Sequence, residues 1–253
     1  MSTGEEWALL AGIVVLSFAV ETAAGFGSMV VALTLGTLWF SLGNMLGILV
    51  PLNLCLSLFL VIRERRHLDW KLLMTRIFPR MGAGLLAGAL FVRWLGQEPL
   101  WLKAVFAALV MGLAVLELAS GKGGRVWRPG SRAQAALLTA GGVVHGMFGT
   151  GGPLAVAAVR AQLEGKSQLR ASLSALWLVL NSLLLLRLAD EAVVSVASLR
   201  QSAGLLAPML GGIVLGDRLH GLLSEQKFRT SVAWLLLLFG AILFSSTLGQ
   251  LSS

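Results

Sequence analysis

Two stretches decide the fold: Glu21-Thr22-Ala23-Ala24-Gly25-Phe26-Gly27-Ser28 and His145-Gly146-Met147-Phe148-Gly149-Thr150-Gly151-Gly152-Pro153. Each sits near the middle of an apolar run too long for one membrane crossing. About 20 apolar residues of helix cross a hydrocarbon core of about 30 Å. As continuous helices, residues 7–41 would reach about 50 Å and residues 132–160 about 43 Å. Each run is therefore either a steep, bent crossing or a re-entrant hairpin. Non-helical backbone at membrane depth is tolerated only where it is buried in protein or lines a cavity. Both alternatives put the two breaks at an internal site.

The composition requires the membrane. Hydrophobic residues make up 57% of the 253 and charged residues 13%, where a soluble domain averages about 25% charged. That excludes a soluble globule, and disorder needs low hydrophobicity. The net charge of +8 would suggest nucleic acid in a soluble protein. Here the basic residues lie between apolar runs and set orientation instead. The single cysteine, Cys55, and three scattered histidines provide no disulfide, metal or cofactor framework. The N-terminus lacks a basic n-region, so the first run is expected to be retained.

Six more runs have the length of one crossing: 44–62, 77–95, 99–119, 171–188, 199–216 and 230–249. If both long runs cross once, 12 Lys+Arg fall inside and 8 outside; if both are hairpins, the split of the same 20 is 16 and 4. The positive-inside rule prefers hairpins. The basic loops 63–80 and 122–132 are then cytoplasmic, and both chain ends are outside.

The halves resemble each other. Phe26-Gly27-Ser28 matches Phe148-Gly149-Thr150, Asn53 matches Asn181, Pro79 matches Pro208, and Gly84-x-x-x-Gly88 matches Gly212-x-x-x-Gly216. The expected fold is an all-α polytopic membrane protein of two repeats, 1–120 and 132–253, joined by a basic linker at 121–131. Each repeat is a broken segment plus three helices. Three is odd, so hairpins make the second repeat inverted. Inverted repeats whose broken helices meet at the midplane are a transporter design.

With its paired glycine-rich breaks, 4+4 organisation and basic central loop, the chain resembles the sulfite exporter TauE/SafE family over nearly its whole length. The resemblance rests on arrangement more than on any invariant string. It implies a bacterial inner-membrane permease of the toluene sulfonate uptake permease group. It also implies transport of small sulfur-containing anions such as sulfite, sulfoacetate or related organosulfonates.

The residues themselves point to an anion site. Glycine permits φ > 0 and close ligand approach. A half-helix that starts after such a turn aims free N–H groups and a positive dipole end at the midplane. Gly25, Gly27 and Ser28 open one such arm. Gly149, Thr150, Gly151 and Gly152 open the other, and Pro153 suits a first helical turn. The expected substrate contacts are these residues with Asn53 and Asn181, whose mid-span amides bond either substrate or broken backbone. Trp177, four residues before Asn181, walls the pocket or packs in the core. Glu21 and His145 are the only ionisable groups beside the breaks; each carries a coupling proton or makes a structural hydrogen bond.

An enzyme is not expected. No Gly-x-Ser-x-Gly context, metal ligand set or group of carboxylates is present, and no arginine adjoins either break in sequence. No Walker A stretch occurs, so this chain carries no ATPase. A passive anion channel of the same architecture stays open. The two GxxxG faces are free to pack within the chain or between two copies.

Overall fold

The computed structural model describes residues 3–95, 100–120, 129–163, 165–222 and 225–252. Among them the secondary structure is helical, with no strand. Helices α1 (Thr3–Ala24) and α2 (Ser28–Gly36) flank the first break, followed by α3 (Leu42–Glu64). Then α4 (Trp70–Leu72) runs through a π-turn at Leu73–Ile77 into α5 (Phe78–Leu95), and α6 (Leu100–Ser120) follows. Helices α7 (Ser131–Phe148) and α8 (Gly152–Val159) flank the second break. The chain ends with α9 (Gly165–Asp190), α10 (Val196–Gly204), α11 (Leu206–Leu222) and α12 (Glu225–Ser252). Of the expected basic linker, residues 121–128 lie outside the described residues.

One expected crossing is divided. The run 199–216 becomes α10 and α11, which meet at Leu205. Pro208 explains this: it has no N–H for the carbonyl of Gly204, four residues back, so the helix ends there. Pro79 does the same to Thr75, inside the π-turn.

The surface is that of a membrane protein. Among the described residues, four stretches are long and apolar enough to cross a bilayer: Gly4–Ala24, Leu42–His67, Ser167–Asp190 and Thr230–Gln250. Leu86, Leu90, Trp94, Leu116, Leu186 and Leu238 are exposed. Water would not support so broad an apolar surface, whereas lipid does. Trp7, Trp39, Trp94, Trp101 and Trp234 are all exposed.

The contacts sort into two ends of the molecule. At one end Arg63 of α3 donates to Asp217 of α11 at 2.7 Å, and Arg76 donates to Gln162 at 3.2 Å. At that end too, Gln134 near the start of α7 donates to the carbonyl of Ala158 near the end of α8 at 3.2 Å. The run 131–159 therefore begins and finishes side by side. At the other end Trp7 packs on Gly204, Gly36 on Met45, and Gly47 on Val193 and Ser198. The first broken run also begins and finishes at one end.

Four helix pairings dominate: α5 with α7, α1 with α11, α6 with α12 and α3 with α9. The GxxxG motifs build two of them. A Cβ on Gly84 or Gly88 would run into the Thr139 or Val143 carbonyl of α7; one on Gly212 would lie 2.7 Å from the Val15 carbonyl of α1, and one on Gly216 2.5 Å from that of Ala19. These glycine faces pack within the chain, where small residues let backbones touch.

Candidate functional site

The two breaks are turns that only glycine makes comfortably. Gly25 has φ +83°, and a Cβ there would lie 3.0 Å from the Cα of Arg170. Gly149 caps α7 with φ +68°, its N–H donating to the His145 carbonyl at 2.7 Å. Any side chain at Gly149 would be strained by the backbone and would also meet the Met29 methyl at 2.9 Å. Gly152 faces the ring of Phe26, so the two turns meet although they are far apart in sequence.

Glu21, in the last turn of α1, is buried among polar groups. Its Oε2 accepts from the Ser28 N–H at 3.2 Å, from Asn53 Nδ2 at 2.8 Å, and from the Ser28 hydroxyl. The carboxyl thus sits on the N-terminus of α2, where the helix dipole favours negative charge. Asn53 Nδ2 also donates to Ser28 Oγ at 2.7 Å, and Asn181 Nδ2 donates to Asn53 Oδ1 at 2.5 Å. The two asparagines meet where α3 and α9 cross, and their amides form a chain that points at Glu21. Asn53 thereby joins side chains from both sides of the first break, Glu21 and Ser28.

A small cavity opens between the breaks. Glu21, Gly27, Asn53, His145, Trp177 and Asn181 line it, together with residues 149–152 and Met29 and Val30. Gly25 and Ser28 stand behind this lining. Trp177 and His145 stack at 5.6 Å with their planes 13° apart, and the Trp177 N–H donates to the Gly25 carbonyl at 3.2 Å. So Trp177 is both wall and clasp. Glu21 Oε1, Asn181 Oδ1 and both His145 nitrogens are buried without a hydrogen-bond partner. Such atoms are costly, and their gathering at one cavity marks a place prepared for a polar guest. The N-terminus of α8 has no side-chain cap.

The expectation that no arginine adjoins a break is corrected. Arg170 of α9, itself buried, donates to the Thr22 carbonyl at 3.4 Å and pairs with Glu64. Arg187, also of α9, donates to the Gly146 carbonyl. Thr22 and Gly146 each lie two residues before the end of their helix, α1 or α7. A cation there satisfies terminal carbonyls and complements the negative dipole end. Spacing alone hides both arginines, because they stand near the ends of their run and read there as interfacial anchors.

The Ser28 proton goes to Glu21, and neither His145 nitrogen has a hydrogen-bond partner, so no serine–histidine dyad is assembled. Among the described residues no group of three or more His, Cys, Asp or Glu can hold a metal ion.

The model of the family described as sulfite exporter TauE/SafE matches residues 8–243. Comparison with curated proteins and with solved structures finds no match. The matched residues take in both breaks, both asparagines, Trp177 and both arginines of α9. With its lipid-facing helices and the cavity between its two breaks, the chain belongs to the TauE/SafE family of multi-pass membrane transporters.

Proposed function

We propose that the protein is a secondary carrier of small sulfur-containing anions, with sulfite, sulfoacetate and related organosulfonates as the substrate class. The cavity between the two glycine turns carries this reading. Glycines of both breaks line it, and Glu21 Oε1, Asn181 Oδ1 and both His145 nitrogens lack hydrogen-bond partners there. Gly149, Thr150, Gly151 and Gly152 cradle the anion at the uncapped start of α8. Gly27 and Asn181 complete the contact, while Gly25, Ser28 and Asn53 hold the opposite turn in shape. Glu21 and His145 are the groups able to carry a coupling proton.

The broken runs are read as re-entrant hairpins in two inverted repeats. The bond from Gln134 to Ala158 supports this for the second run. Exchanging the two halves also maps the four dominant helix pairings onto themselves, which supports the repeat. The end that holds Arg63, Arg76 and Arg170 is the cytoplasmic one by the positive-inside rule, in a bacterial inner membrane. No second copy of the chain is needed to complete the site.

The test is uptake of radiolabelled sulfite, sulfate and small sulfonates into proteoliposomes, with and without an imposed pH gradient. Saturable uptake of a sulfur anion is expected, faster with the gradient. Non-saturable uptake indifferent to pH would replace the carrier with a channel. No uptake of any of these anions would remove the substrate class.

A further inference from the structure

The anion position at the start of α2 is already occupied by the protein's own carboxylate. Glu21 Oε2 takes the Ser28 N–H, the Ser28 hydroxyl and Asn53 Nδ2. These are the donors a bound anion would otherwise use. The second oxygen, Oε1, is buried, has no partner, and belongs to a residue that lines the cavity. Asn181 repeats the pattern. Its nitrogen is committed to Asn53, and its Oδ1 is buried without a partner. With Glu21 ionised, the unsatisfied oxygens of both residues are acceptors, and acceptors repel an anion.

We propose that one proton on Glu21 Oε1 is what admits the substrate anion, so that anion and proton bind and cross together. The proton comes from water on the side from which the anion enters. It forms the Oε1–H bond and leaves to water on the far side, with no other bond made or broken. Protonated, the same carboxyl keeps Oε2 as acceptor for its three donors. Its Oε1–H now donates toward the cavity, so a repelling oxygen becomes a ligand. The second half of the cradle is the uncapped start of α8.

Other charged groups around Glu21 come from α7, α9, α3 and α11. His145 of α7 shares the cavity. Arg170 of α9 reaches the Thr22 carbonyl, with Glu64 of α3 and Asp217 of α11 paired to it. Helix α2 has no charged residue, and those of α12, Glu225, Lys227 and Arg229, stand in its first five residues. Of these, Arg170 and its carboxylates are already paired. His145 is the one other titratable group at the cavity, so its variant serves as the comparison.

The inference rests on the anion-carrier reading, and the experiment separates the two. Wild type and Glu21→Gln are compared in proteoliposomes for two modes: accumulation of labelled sulfite or sulfoacetate under a pH gradient, and exchange of labelled for unlabelled anion without one. The glutamine amide imitates the protonated acid, with an oxygen for the α2 donors and an N–H for the anion. The expected result is an accumulation ratio that falls to unity while exchange persists. Glu21→Asp, which keeps a titratable carboxyl, still accumulates. Accumulation by Glu21→Gln equal to wild type would overturn the proposal. So would loss of accumulation in His145→Gln alone, or a folded Glu21→Gln inert in both modes. If Glu21→Gln does not fold, Glu21→Asp decides: exchange without accumulation overturns the proposal, and accumulation upholds it. Wild type inert toward both anions would instead refute the carrier reading on which it stands.

Discussion

Single atoms set the energetics of the cavity. The Trp177 N–H donates to the Gly25 carbonyl at a left-handed turn. Trp177→Phe keeps a ring against His145 and strands that carbonyl. An unsatisfied buried group costs about 1–3 kcal/mol, so thermal melting in detergent should register a loss of that size. Asn53 binds Glu21, Ser28, Ser57 and Asn181, whereas Asn181 is held only through Asn53. Asn53→Leu is therefore expected to lower the melting temperature more than Asn181→Leu. Asn181→Leu should instead weaken anion uptake, because it removes a polar amide from the cavity lining. A reversed order would undo the division of labour between the two amides.

Helix-scale behaviour follows from backbone contact and buried charge. On α5, a methyl at Gly84 would strike the Thr139 carbonyl, while one at Gly82 meets nothing within 4 Å. Gly84→Ala should cost about 1–3 kcal/mol through overpacking. Gly82→Ala should be neutral or gain up to about 1 kcal/mol from helix propensity. Equal melting temperatures for the two would remove the α5–α7 seam. Breaking the buried pair of Arg170 with Glu64 leaves a charge without its partner, which costs about 3–5 kcal/mol. Arg170→Met is expected to show that loss, and adding Glu64→Gln should return part of it.

These examples show what spacing reveals. A glycine-rich break or a mid-span asparagine violates the local rule for a membrane helix, so Gly25, Gly149, Asn53 and Asn181 stand out at once. Arg170 does not, because an arginine near a run end is ordinary. Its bond to Thr22 spans 148 residues and depends on how α9 lies across α1. The joint at Leu205 was within reach, since Pro208 forbids a continuous helix.

At the scale of the molecule, the four dominant pairings all join a helix before residue 121 to one after residue 130. Cysteine labelling can trace the two ends. With exposed Cys55 replaced, cysteines at 76 and 162 should react from one side of a sealed vesicle and one at 200 from the other. Reaction of 162 and 200 from the same side would refute the hairpin reading of the second run. The pairing also bears on biosynthesis. At about 5–20 residues per second, the second half emerges on the order of ten seconds after the first. Throughout that interval Gly84 and Gly88 have no α7 to pack against, and α1 has no α11. The nascent half is left in lipid with its seams open, a client for whatever guards unfinished membrane chains. Two separately encoded halves, cut within 121–128, should accumulate only when made together.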